Sequence, residues 1–203
     1  MKGENKMKIS EFEEKYWNYY LHLEEKFMHI SSFVHFDSRN FNVFSYEFVS
    51  LFQNIGAEID LLFKKICGYS GNDNRTMRDY KNDIIYKCPE IKEKKIKVNY
   101  FNIEIQPFEK LESGMTWWKE YNAIKHNRLD NISKANLENV LEALAALFLL
   151  ERYLLVELKE EDSYVLIKQS NIFRIDGVDI QPRMQWKVDS DKGIALVYND
   201  DLI

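Results

Sequence analysis

In "WWKEYNAIKHNR", residues 117 to 128, polar side chains with chemical potential recur at helical spacing. Asn122 and His126 are four residues apart, which makes them neighbours on one face of a helix. Lys119 precedes Asn122 by about one turn, Lys125 flanks the same stripe, and Arg128 follows the histidine. Trp117, Tyr121 and Ile124 take the adjacent face, where they would anchor the helix in a core. Histidine titrates nearest neutral pH, so His126 could give or take a proton during turnover. Lys125 and Arg128 could stabilise charge developing on a phosphate, while Asn122 could fix the histidine tautomer or hold a substrate oxygen. RNA cleavage suits such a set, because the 2′-OH of RNA is its own nucleophile and the protein has only to position it and move protons. No metal site is expected from these residues, and no cofactor. A plainer reading stands beside this one: Lys, His and Arg near a helix C-terminus also complement the helix dipole.

The elements that must position these residues are mostly helical. From Ile9 to about His29, apolar side chains such as Phe12, Tyr16, Leu23 and Phe27 recur every three or four residues, the period of a helix. A second helix is expected from about Asn42 to Cys67, ended by Gly68 and the turn-rich "GYSGNDN". Arg75 to Tyr86 reads as a shorter helix closed by Pro89. "IKVNYFNIEIQPF" has the alternation of a strand or extended segment. The motif helix follows, beginning near Ser113 or Thr116, and "LDNIS" reads as the turn after it. From about Asn136 to Lys159 the chain is apolar nearly all round, as in a helix central to a core or shared with a partner chain.

Beyond Asp162 the character changes to short runs, "YVLIKQ", "IFRI", "MQWKV" and "IALVY", separated by "DGVD", Pro182 and "DSDKG". These are hairpin signals. The expected architecture is mainly α, a helical domain over 1–160 with a small C-terminal antiparallel β appendage over 161–203.

Composition narrows the function classes. A chain of 203 residues, 45% hydrophobic, is long enough to bury a core. No apolar run reaches the ~20 residues that span a bilayer, and the N-terminus lacks the apolar stretch of a secretory signal, so a cytoplasmic protein with no membrane partner is expected. Cys67 and Cys88 form neither a zinc pattern nor a disulfide framework. Net charge is −5, which excludes a general basic field for nucleic acid. Two local basic patches remain: Lys92, Lys94, Lys95 and Lys97, explained by a solvated loop, and Lys119, Lys125, Arg128 and Lys134 around the motif. His22, His29 and His35 lie among aromatics and suit packing or surface roles. In the second helix, Glu58 falls on an apolar stripe and needs a partner. Lys125 or Arg128 could supply one, or the carboxylate could reach water at the stripe's edge.

The motif window, with "FSYEFVSLFQNIGAEIDLLFKKI" before it and an apolar helix after it, resembles the HEPN superfamily over roughly residues 10 to 160. These are small helical proteins, many of them metal-independent ribonucleases of bacterial toxin, abortive-infection and CRISPR-linked systems. The family signature is an Arg, a polar residue such as Asn, a few variable residues and a His. Asn122 and His126 match the last two, whereas Tyr121 stands where the Arg is usual. The resemblance implies an antiparallel helical bundle, a homodimer that brings two motifs together, and RNA as substrate. It leaves two functions open. One is an active endoribonuclease with Lys125 or Arg128 supplying the missing charge, producing 2′,3′-cyclic phosphate ends. The other is a degenerate module that binds RNA, a nucleotide or a protein partner. Replacing Tyr121 with Arg would then be expected to raise cleavage if the rest of the site is intact.

Overall fold

The computed structural model describes residues 7–99, 103–158, 168–175, 184–189 and 193–198. It is mainly helical with small antiparallel sheets. The first amphipathic stretch forms one helical run: α1 (Ile9–Phe12) passes through a π-helical turn at Glu13–Trp17 into α2 (Asn18–Ile30). Its apolar stripe, Phe12, Trp17, Tyr20, Leu23 and Phe27, is buried.

Helix α3 (Tyr46–Cys67) has clear local causes at both ends. Ser45 starts it by accepting the Phe48 N–H on its hydroxyl at 3.1 Å, a helix N-cap. Gly68 stops it in the left-handed conformation at φ 78°, and the Tyr69 N–H then reaches back to the Lys64 carbonyl at 2.8 Å. After α4 (Met77–Lys87) comes an extended segment that is two strands rather than one. Strand β1 (Ile96–Val98) pairs antiparallel with β2 (Ile103–Ile105) and, on its other side, with β3 (Phe173–Arg174). Between β2 and β3 lie α5 (Thr116–His126), the one-turn α6 (Arg128–Asn131) and α7 (Leu137–Leu158). The C-terminal hairpin pairs β4 (Met184–Asp189) with β5 (Gly193–Tyr198) in the register Met184 to Tyr198. Tyr164 to Ile167 of the "YVLIKQ" run, and the turn signals at 176–179 and 190–192, lie outside the described residues.

The core is centred on α3 and α7, against which α2 and α5 pack. Residues Ala143 to Leu150 of α7 are all buried, on every side of the helix. Over these eight residues the all-round apolar pattern of α7 is therefore covered within one chain, whereas Val156 further along is half exposed. The start of α7 is tied to the segment before α3: the Leu137 N–H donates to the Val43 carbonyl at 3.0 Å and the Glu138 N–H to Phe41 at 3.2 Å. Asn136 caps the same turn by accepting the Asn139 N–H at 3.0 Å, so the first donors of the helix are satisfied. Among the described residues no helix is long and apolar enough to cross a membrane.

Candidate functional site

Helix α5 is held from below by its aromatic side chains. Trp117 is buried and its indole N–H donates to the Pro107 carbonyl at 2.9 Å. Trp118 meets Phe63 edge-on, with ring centroids 5.7 Å apart, and Tyr121 meets Phe52 edge-on at 6.0 Å. Tyr121 also lies flat against the backbone of α3: a Cβ added to Gly56 would sit 2.3 Å from two of its ring carbons. Burial, and secondarily the Asp60 carboxylate, raises the Tyr121 phenol above its ordinary pKa. The residue at the position of the usual Arg is thus a core ring, seated in a slot that only glycine leaves open.

The polar residues of the motif are distributed differently from a single stripe. Asn122 is half-buried, and its amide donates to the Trp118 carbonyl one turn back, at 2.8 Å. Its NH2 group is therefore engaged by its own helix, leaving the amide oxygen to face other groups. His126 is the last residue of α5 and is exposed. Asn127 then breaks the helix, with φ −148° and ψ 82°. It caps the next one: its side-chain oxygen accepts the Asp130 N–H at 3.4 Å, and its amide donates to the Asp130 carboxylate at 2.6 Å. Arg128 consequently begins α6 and does not continue the α5 stripe. Lys125 stays on α5, exposed, with its ammonium 5.7 Å from the Tyr121 ring centroid, within cation–π range. Lys119 folds away over the preceding loop. Its Nζ and Cε lie where a Cβ on Gly114 would come within 2.9 and 2.6 Å, at a backbone φ of 106° that itself favours glycine.

The structure therefore groups Lys125, His126 and Arg128 at the exposed C-terminal end of α5, with Asn122 one turn behind. It does not bring Lys119 or Glu58 to them. Glu120, between Lys119 and Tyr121, takes the last cation of the patch, pairing with Lys134 at 2.7 Å. The other basic run is also neutralised: Lys92 pairs with Glu112 at 2.8 Å, Lys94 with Glu90 at 2.7 Å and Lys95 with Glu104 at 2.9 Å. Lys125 and Arg128 make no ion pair among the described residues. No group of three or more His, Cys, Asp and Glu side chains there could hold a metal ion.

Glu58 belongs to a different neighbourhood. It is half-buried on α3, and burial alone raises its carboxyl pKa, with no cation close enough to lower it. Its charge is felt by Glu151 of α7, which is fully buried with neither carboxyl oxygen hydrogen-bonded. Burial and then Glu58 push Glu151 up to about 9. The Tyr16 phenol is raised by burial and by the same two carboxyls. Sequence reasoning missed this cluster, although its signal was visible: Glu151 and Arg152 interrupt an otherwise apolar helix.

A second buried network joins α2 to the segment before β3. Glu24 is fully buried and accepts from the Tyr20 hydroxyl at 2.5 Å, from the Ser170 hydroxyl, and from the Asn171 N–H at 2.7 Å. With three donors its lone pairs are well used, so burial of this carboxyl costs little. It is a structural tie between distant parts of the chain.

No protein-family model, curated protein or solved structure matches this chain.

Proposed function

We propose that the protein is a HEPN-like, metal-independent endoribonuclease whose RNA-contacting site is the exposed end of α5. The observation that carries this reading is the exposed trio Lys125, His126 and Arg128, whose cations have no acidic partner among the described residues, on a chain of net charge −5. The lysines of 92–95 are spent on carboxylates; Lys125 and Arg128 at the α5 end are available to phosphate. Phosphate contacts supply most sequence-independent nucleic-acid affinity.

In the reaction, the RNA 2′-oxygen bonds to the adjacent phosphorus and the 5′-oxygen leaves. One imidazole removes the 2′ proton and a second donates a proton to the leaving oxygen. Each chain brings one His126, so the homodimer implied by the resemblance would supply both. Lys125 and Arg128 would meet the charge that builds on the phosphorane, and the free amide oxygen of Asn122 can accept a hydrogen bond from the imidazole N–H or a ribose hydroxyl. The direct test is end-group analysis of RNA incubated with the protein in EDTA. Fragments ending in 2′,3′-cyclic phosphate support the reading; fragments with 5′-phosphate and 3′-hydroxyl ends, or intact RNA, oppose it.

A second reading, a non-catalytic module that binds RNA, a nucleotide or a protein partner, is favoured by two specific features. Tyr121 fills the usual Arg position with a packed ring, and the Asn122 amide nitrogen is tied to its own helix. RNA retained without cleavage would support it. A cytoplasmic setting in toxin action or anti-phage defence belongs to the same proposal and rests on the resemblance alone.

A further inference from the structure

Away from the α5 end, a recess of about 280 Å³ opens beside the second half of α7. Pro89, Leu149, Val156 and Ile175 give it apolar walls, and Val156 is half exposed in it although it lies on the helix that forms the core. Two polar side chains of α7 line the same recess, Arg152 and Tyr153.

Neither has a partner among the described residues that explains its position. Arg152 is only 8% exposed, and a buried guanidinium is costly unless an anion compensates it. No ion pair to it exists among the described residues, and burial lowers its pKa with only the Tyr20 phenol acting the other way. Two acids of this region are already engaged. Glu24 is held by Tyr20, Ser170 and Asn171, and Glu90, at the rim, is paired with Lys94 at 2.7 Å. The Tyr153 hydroxyl is buried and makes no hydrogen bond among the described residues. An apolar hollow with a few convergent polar groups is the usual form of a small-molecule site. Its volume is at the small end of that class, and the unmatched charge is positive.

We propose that this recess binds a small amphipathic organic anion, with the apolar body between Leu149, Val156 and Ile175 and the anionic head on Arg152 and Tyr153. A guanidinium can grip a carboxylate through two parallel N–H donors, and the Tyr153 hydroxyl can donate to the same oxygen. The head would then neutralise the buried cation, and the body would cover the exposed Val156. None of these residues belongs to the ribonuclease site, so the inference stands or falls separately from that reading.

Octanoate is a fitting probe, with octylamine and octanol as cationic and neutral bodies of the same length. Calorimetric titration of the full chain at neutral pH should show octanoate binding more tightly than either. Arg152→Met, which keeps the length of the side chain and removes its charge, should weaken octanoate by at least about tenfold. Tyr153→Phe, which deletes one hydroxyl and leaves the packing intact, should weaken it several-fold. It keeps the question decidable even if the Arg152 variant fails to fold. The proposal is overturned if octanoate does not bind at millimolar concentration, if octylamine or octanol binds as well, or if folded Tyr153→Phe and Arg152→Met bind octanoate as wild type does.

Discussion

Gly56 and Tyr121 fit each other as slot and plate: the Tyr121 ring of α5 lies where the first side-chain atom of residue 56 on α3 would be, 2.3 Å from that position. This contact sets how closely the two helices approach and hence where the end of α5 stands. Gly56→Ala must push the ring or the helix aside, and overpacking of this kind costs about 1–3 kcal/mol. Urea denaturation should show that loss, with His126 left chemically intact. A Gly56→Ala protein as stable as wild type would show that the two helices are not in this contact.

The same contact revises the expected effect of Tyr121→Arg. A guanidinium at 121 would enter the core beside Phe52 and Trp118, where the nearby Asp60 carboxylate is already paired with Lys64 at 2.9 Å and accepts from the Tyr80 hydroxyl at 2.9 Å, so the buried charge would be poorly compensated. The substitution should lower the urea midpoint rather than raise cleavage. Gain of cleavage at unchanged stability would indicate that residue 121 turns toward the exposed end of α5.

Asn127 separates the histidine from the arginine. Its loss in Asn127→Ala removes the cap of α6, worth about 1 kcal/mol, and frees Arg128 from a fixed direction. A modest drop in thermal midpoint should accompany weaker RNA binding. Unchanged RNA affinity would mean that Arg128 works without being placed by Asn127.

If Lys125 and Arg128 each meet a phosphate, RNA binding should weaken steeply with salt. Removing either should reduce the slope of log K against log salt by roughly 0.7 for single-stranded RNA. Titrations of Lys125→Ala and Arg128→Ala across salt concentrations would measure this. Slopes equal to wild type would place the RNA elsewhere.

Glu151 gives the fold a pH dependence of definite sign. Its carboxyl has an ordinary value of 4.5 and is raised to about 9 in the native chain, so the folded state binds the proton more tightly. Facing it are Glu58, also raised, and the Tyr16 phenol. Stability from this group is fully present below pH 4.5 and is lost as pH rises toward 9. Glu151→Gln, which mimics the neutral acid, should be more stable than wild type near pH 8, on the order of a few kcal/mol. The two should converge near pH 4.5. Parallel stability profiles of the two proteins would mean that Glu151 is solvated or paired.

Much of the helical frame was legible in the sequence because its causes are local. Ser45 and Gly68 bracket α3, and the heptad-like spacing of Phe48, Leu51, Ile55, Ile59 and Leu62 shows which side is buried. The break after His126 was not legible. "HNRLDN" has no Pro or Gly, and Asn127 ends one helix only by capping the next. "IKVNYFNIEIQPF" reads as one extended segment because its pairing partner is itself, with Ile96 opposite Ile105. Glu58 was expected either to pair with Lys125 or Arg128 or to reach water, since a stripe does not reveal which neighbouring helix it faces; it is half-buried, with its charge felt by Glu151 of α7. The core-anchoring face of Trp117, Tyr121 and Ile124 was legible from helical spacing, and all three are buried; that Tyr121 seats on Gly56, 65 positions earlier in the chain, is a relation that no local pattern carries.

The central claim is that the exposed His126 moves a proton during RNA cleavage. The most direct measurement compares wild type, His126→Ala and Asn122→Ala on RNA in EDTA, after circular dichroism and thermal melts show all three folded. Cleavage by wild type that is abolished in His126→Ala and reduced in Asn122→Ala is the predicted result. Cleavage by His126→Ala at the wild-type rate, or none by purified wild type across varied RNAs, would contradict it.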